Sequence, residues 1–163
     1  MSLQDDLVLP PDQGRMVWIA GLGVRFIIGG DQTGGRFSVV EHPLKPGALG
    51  APLHTHSRED EFSFILEGEV GVQIGDREFV ATPGMLVFKP RAIPHTFWNK
   101  GPQLARLLEL ICPAGFERYF AEVAEVMAKQ PPDFAALPTI ADKYGLTLDL
   151  GSIATLRTRH GLR

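Results

Sequence analysis

Three histidines and a glutamate in two short segments carry the ligand chemistry of this chain: His54, His56 and Glu61 in HTHSREDE, and His95 in PRAIPHTFWN. His54 and His56 stand two positions apart. Successive side chains of a strand leave opposite faces, so on a strand both imidazoles share one side. Glu61 opens the apolar run FSFIL, and His95 opens the run TFW behind a proline-punctuated turn. Three imidazoles and a carboxylate suit Zn, Fe, Mn, Ni, Co or Cu, whereas Ca and Mg prefer all-oxygen shells. The expected cofactor is therefore one divalent transition metal per chain, its identity open. Taken alone, a His-x-His pair also describes two polar residues on the wet face of a strand. Glu59 and Asp60 compete for the carboxylate role. Asp60 has the opposite strand parity to Glu61, and Glu59 shares its parity but lies nearer the loop, which favours Glu61.

These residues need strands to hold them, and the first hundred positions are written for strands. Segments 16–28, 36–42, 61–74, 78–83, 85–90 and 105–112 are rich in Val, Ile, Phe and Leu, and turn chemistry such as PGALGAP, GDR, PG and NKGP separates them. Short strands with no helical pattern between them predict an all-β sandwich or barrel. Gly75-Asp76 between two alternating runs predicts a hairpin, and the glycine-rich GLG and GGDQTGG are expected to be hairpin turns. Beyond Ala114 the period changes. Phe116, Tyr119, Phe120, Val123, Val126 and Met127 recur at three- and four-residue spacing, which predicts an amphipathic helix over 116–129, closed by Pro131-Pro132. A shorter helix is expected over 133–144 with Gly145 as its stop. The chain thus divides into a barrel at 15–113, a helical extension packed on it at 114–150, and a polar, loosely held tail at 151–163.

Composition narrows the partners. With 163 residues, 44% hydrophobic and 21% charged, the chain fits one globular domain with a sizeable core and a modest appendage. The formal charge is −3 and no Lys/Arg cluster occurs, so the electrostatic footprint for nucleic acid or an anionic membrane is missing. The single cysteine, Cys112, excludes an intrachain disulfide and reads as a small buried hydrophobe. MSLQDDLVLPPDQG carries no basic segment leading into an apolar stretch, so no secretory signal is expected. VWIAGLGVRFIIGG is too short for a membrane span and contains Arg25. A cytoplasmic protein acting on a small molecule is the expectation. Exposed apolar runs such as MVWIA and FIIGG need cover, which points to a homodimer. His42 and His160 lie outside both segments and read as ordinary polar residues.

The two segments together resemble the motifs of the cupin superfamily. The first runs PGALGAPLHTHSREDEFSFILEG from Pro46 to Gly68, with His54, His56, Glu61 and Gly68 in register. The second runs GMLVFKPRAIPHTFWN, matching at Gly84, Pro90, His95 and Asn99. Ala92 replaces the usual second glycine of that motif, and Ala48 stands where the first motif expects a glycine, with Gly47 beside it. Asn99 reads as a turn residue or a support to the ligands. The resemblance implies a double-stranded β-helix of jelly-roll type, with His54, His56, Glu61 and His95 holding a metal inside the barrel near its mouth. It is closest in character to the single-domain cupins related to quercetin dioxygenases.

Parity extends the reading to a pocket. If His54 and His56 point inward, Glu61, Ser63 and Ile65 share the interior and Phe97 follows His95 inward, making a partly apolar wall suited to an aromatic or conjugated substrate. Lys89 and Arg91 share the odd parity of His95, which keeps a charged acid open as a substrate. Four protein ligands leave two positions of a six-coordinate metal for a bidentate enolate or diol, or for substrate plus O₂. Glu61, if it swings off the metal, is the nearest base. The leading expectation is a metal-dependent dioxygenase acting on a small phenolic or enolisable compound. The alternatives are a redox-neutral isomerase, decarboxylase or lyase, and a non-catalytic small-molecule binding module.

Overall fold

The computed structural model describes residues 8–163, so part of the amino-terminal stretch read for a secretory signal lies outside the described residues. Two antiparallel sheets face each other. The larger is ordered β1 (Met16–Ile19), β2 (Leu22–Ile28), β3 (Ser38–Leu44), β10 (Ala105–Cys112), β5 (Asp60–Glu67), β8 (Leu86–Lys89). The smaller is ordered β11 (Leu146–Asp149), β4 (Leu53–His56), β9 (His95–Trp98), β6 (Val70–Ile74), β7 (Arg77–Ala81). This is the all-β architecture with carboxyl-terminal helices that the strand grammar predicted, in the jelly-roll form that the resemblance implied.

The long apolar runs break where the backbone turns. Segment 16–28 folds as a hairpin of β1 and β2, with Ile19 opposite Leu22, so Ala20-Gly21 is a two-residue turn and Ala20 takes φ 52. Segment 61–74 splits at Gly68, whose φ of 72 suits glycine. Gly75-Asp76 joins β6 to β7 as expected, with Ile74 opposite Arg77. GGDQTGG departs from expectation: it forms a short helix, α1 (Gly30–Thr33), because Glu117 accepts from the Gly30 N–H at 2.9 Å and anchors its start.

The core fills the space between the sheets with Val24, Val40, Leu44, Ile65, Val72, Leu107 and Ile111. Helix α2 (Glu117–Met127) lies across one end and buries Phe120 and Val123, each contributing roughly 2 kcal/mol by removal from water. The expected second helix begins as a 3₁₀ turn at Phe134–Ala136 and continues as α3 (Leu137–Lys143), and Gly145 follows with φ 66. The tail is not loosely held. It forms α4 (Ser152–His160), and ahead of it Leu146–Asp149, within the stretch expected to be a helical extension, is instead a strand beside β4. The His160 ring stacks on Trp98 at 3.9 Å, and the Arg163 N–H donates to Gly47 O at 2.8 Å. The polar composition that suggested looseness faces solvent, while Leu156 is buried beneath it. Among the described residues, no helix is long and apolar enough to cross a membrane.

Candidate metal centre

The sheets bring the two segments together from opposite sides. β4 presents His54 and His56, and β9 presents His95 directly opposite His54 in the smaller sheet. β5 presents Glu61 from the larger sheet. One ligand atom from each of these four buried residues lies within 4.8 Å of the others, and the cluster could hold one metal ion.

Hydrogen bonding orients each imidazole. Nδ1 of His54 lies 2.8 Å from Pro52 O, and Nδ1 of His95 lies 3.1 Å from Ile93 O. A carbonyl only accepts, so both Nδ1 atoms carry the proton and both Nε2 atoms offer a lone pair. Nδ1 of His56 faces the Glu59 carboxylate at 3.3 Å, which sets the same tautomer. His56 Nε2 is buried with no hydrogen-bond partner. Burial also lowers the pKa of His54 and His95, holding both rings neutral as metal ligation requires. The consequence is that the Nε2 lone pairs of His56 and His95 face the Glu61 carboxylate with no proton between them. His95 Nε2 sits 3.1 Å from Glu61 Oε2, and His56 Nε2 sits 3.5 Å from Glu61 Oε1. Lone pairs facing at such distances repel unless a positive charge lies among them, so the donor set fits a cation. Glu59 is thus the support of a ligand rather than a rival to Glu61.

Behind Glu61 lies a polar pair that the spacing argument undervalued. Lys89, 2% exposed, stands opposite Glu61 in the β5–β8 register and places Nζ 2.9 Å from Glu61 Oε2 and 2.8 Å from Glu109 Oε2. Burial alone would raise the Glu61 carboxyl, but Lys89 with His56 and His95 holds it well below the usual carboxylate range. Burial would likewise lower Lys89, and Glu109 and Glu61 reverse this. Burial dominates at Glu109, pushing it up to about 7 despite Lys89. Ser63 Oγ donates to Glu109 Oε2 at 2.8 Å, so Ser63 supports this pair and does not line the cavity.

His54 and Glu61 of the cluster border a cavity of about 100 Å³, somewhat below the ~150 Å³ of an engineered cavity that holds benzene, so a single ring is the upper limit of what it takes. Phe97, His42, Phe116, Tyr119 and Phe120 form much of its wall, with Glu61, Lys89 and Glu109 at its polar side. Phe97 therefore lines the cavity as parity required, and Ile65 sits in the core instead. His42 is not an ordinary surface residue. Its Nδ1 meets Gly23 O at 3.0 Å, its ring stands edge-on to Phe120, and burial lowers its pKa to about 4. Arg91 points outward despite its parity, because Pro90 ends β8 and Asp60 captures the guanidinium at 2.6 Å. Asn99 is a turn residue, donating to Leu44 O and Gln103 O. Ala92 takes φ 63, the left-handed conformation that the motif's glycine would supply without strain. Cys112 is half-buried rather than enclosed.

Helix α2 supplies what no ligand motif could show: the Phe116 ring meets His56 edge-on at 4.3 Å and closes the site from above. Glu109 had a visible signal. In ARLLELIC, alternation places Ala105, Leu107, Glu109 and Ile111 on one face, and a carboxylate among apolar inward residues marks a functional position.

A jelly-roll barrel with an inward cluster of three imidazoles and a carboxylate defines a β-barrel that could hold one metal ion. Residues 41–111 match the family model of the Cupin domain, and that stretch spans both ligand segments. No curated protein sequence matches the chain. Among solved structures, a sugar phosphate isomerase of the cupin superfamily from Silicibacter pomeroyi shares 27% identity at a TM-score of 0.50, over 56% of this chain and 59% of that one. The polyketide cyclase RemF from Streptomyces resistomycificus shares 25% identity at a TM-score of 0.58, over 64% of this chain and 78% of its own. A predicted oxalate decarboxylase from Thermotoga maritima, 18% identical with a TM-score of 0.62 over 66% of this chain and 99% of that one, shares the fold.

Proposed function

We propose that this protein is a metal-dependent dioxygenase acting on a small, single-ring phenolic or enolisable compound. The observation that carries the reading is the placement of the acceptor cluster at the polar side of a ring-sized, aromatic-walled cavity. His54, His56, His95 and Glu61 would hold the metal. When bound, it would supply Lewis acidity that lowers the pKa of a substrate hydroxyl. Phe97, Phe116 and Phe120 would grip the ring and exclude water. Glu61 is the base nearest the hydroxyl proton, provided it moves off Lys89.

A sugar phosphate fits this chamber poorly. No arginine lines it, and its one lysine already serves two carboxylates. The second reading is a redox-neutral isomerase, cyclase or decarboxylase, favoured by the Lys89–Glu109 pair, which could return a proton to carbon. Oxygen decides between them. Iron-, manganese- or nickel-loaded protein should consume O₂ in step with loss of a monocyclic phenol or 1,3-dicarbonyl and turn over nothing anaerobically; equal anaerobic turnover would replace the first reading with the second.

For the homodimer we propose a surface other than the MVWIA and FIIGG runs. The outer face of β5 and β8 exposes Phe64, Leu86 and Phe88, with Phe62 stacked on Phe88 at 4.9 Å, and β8 is a free sheet edge. An apolar strip along an unpaired edge suits an identical strip on a second copy. Leu86→Lys with Phe88→Lys should convert a dimer to a monomer by light scattering.

A further inference from the structure

Glu109 carries a feature that metal binding does not use. Its carboxylate is 1% exposed, yet its two oxygens are treated differently. Both donors that reach it, Lys89 Nζ and Ser63 Oγ, converge on Oε2, and Oε1 is buried with no partner at all. Buried polar atoms are nearly always paired, because an orphan forfeits the hydrogen bond it had in water. Glu109 also lines the cavity, with the aromatic wall beside it.

The position of the orphan is set by strand register. Glu109 on β10 faces Ser63 on β5, two residues from Glu61 on the same inward face, and Lys89 bridges the two carboxylates from β8. One ammonium nitrogen therefore separates the ligand carboxylate from Glu109. That spacing is on the order of one aromatic ring, which is also the scale of the cavity. A ring with one oxygen at the histidine–Glu61 cluster would carry its next substituent toward Glu109.

We propose that Glu109 is a substrate-contacting residue whose Oε1 accepts a hydrogen bond from a second hydroxyl, so that the cavity selects monocyclic dihydroxy compounds over monohydroxy ones. The inference rests on the cavity being the substrate site, and it deepens that reading by naming the second oxygen. Ser63 and Lys89 act as positioning residues, holding Oε2 so that Oε1 turns to the ligand. The selectivity follows from asymmetry: a ligand lacking the second hydroxyl leaves the acceptor orphaned, which costs more than a lost methylene contact would.

The test is binding to zinc-loaded protein, where turnover does not confuse the measurement. Titration calorimetry at pH 8, where Glu109 is ionised, with resorcinol and with phenol should give wild-type protein about a tenfold preference for resorcinol, the size expected for a hydrogen bond to a charged group. Glu109→Leu should bring that preference close to unity. Should Glu109→Leu fold poorly, Glu109→Gln keeps the shape and one acceptor and should retain an intermediate preference. A preference unchanged in both variants overturns the role of Glu109 while leaving the cavity reading intact. Failure of wild-type protein to bind either compound overturns the cavity reading and this inference with it.

Discussion

Lys89→Met tests the charge arithmetic beneath the site. Lys89 Nζ stands 2.9 Å from Glu61 and 2.8 Å from Glu109, all three side chains nearly enclosed. Each ion pair is worth roughly 5 kcal/mol of gross attraction at an effective dielectric of about 20. Desolvation of the ammonium offsets much of that. Removing one partner of a buried network nevertheless costs about 3–5 kcal/mol, because the remaining charges stay buried without compensation. For a chain of this size each kcal/mol moves the midpoint by about 2–4 °C, so chelator-treated Lys89→Met should melt about 10 °C below wild type at pH 8. Without Lys89, Glu109 takes up a proton more readily, its folded pKa rises further, and stability survives at low pH and is lost as pH climbs. The deficit should therefore shrink at pH 5.5. Lys89→Met with Glu109→Gln removes one unpaired carboxylate and should recover about half of the loss. Thermal unfolding followed by circular dichroism reads all of these. A shift below 2 °C, an equal shift at both pH values, or a double variant weaker than the single would refute the network.

Other outcomes follow from the same geometry. In metal-free protein, His42 and Glu109 act in opposite directions across weakly acid pH. His42, lowered from 6.5 to about 4, contributes stability present above pH 6.5 and lost as pH falls toward 4. Glu109, raised from 4.5 to about 7, contributes stability present below pH 4.5 and lost as pH rises through 7. Each amounts to about 3 kcal/mol at 1.36 kcal/mol per pKa unit, so Glu109→Gln should steepen the loss of urea stability between pH 6.5 and 4.5. An unchanged slope would contradict it. Wild-type protein purified without chelator should carry close to one transition-metal ion per chain by elemental analysis, and His56→Ala should lose most of it; equal occupancy in the variant would remove His56 from the ligand set. A methyl at Gly50 would run into the Phe97 ring. Gly50→Ala should cost about 1–3 kcal/mol and weaken phenol binding as the ring swings into the cavity, which calorimetry would register.

The four cluster residues and the barrel were legible because their information is local. His54 and His56 share a face by parity alone, and turn residues at short intervals demand short strands whatever the distant sequence does. Even Glu61 over Glu59 followed from distance to the loop. Parity failed where a strand stopped. Arg91 shares it with Lys89, yet Pro90 ends β8 between them, and only the neighbouring Asp60 decides where the guanidinium goes.

What the tertiary structure alone decided is the environment of the cluster. Glu109 lies 46 residues beyond Ser63 and 20 beyond Lys89, and no local pattern says that β10 and β8 flank β5 on opposite sides. His42 became a wall of the cavity only because β3 pairs with β10 in the same sheet. Helix α2 announced its own amphipathic face, but which residue it would cover, His56, depends on how the chain returns over the barrel. Residues 146–149 fall within the stretch expected to be a helical extension, and they form a strand because β4 offers them an edge to pair with. Ligand type and facing are properties of a few adjacent residues, whereas burial, pKa and cavity shape are sums over neighbours distant in the chain.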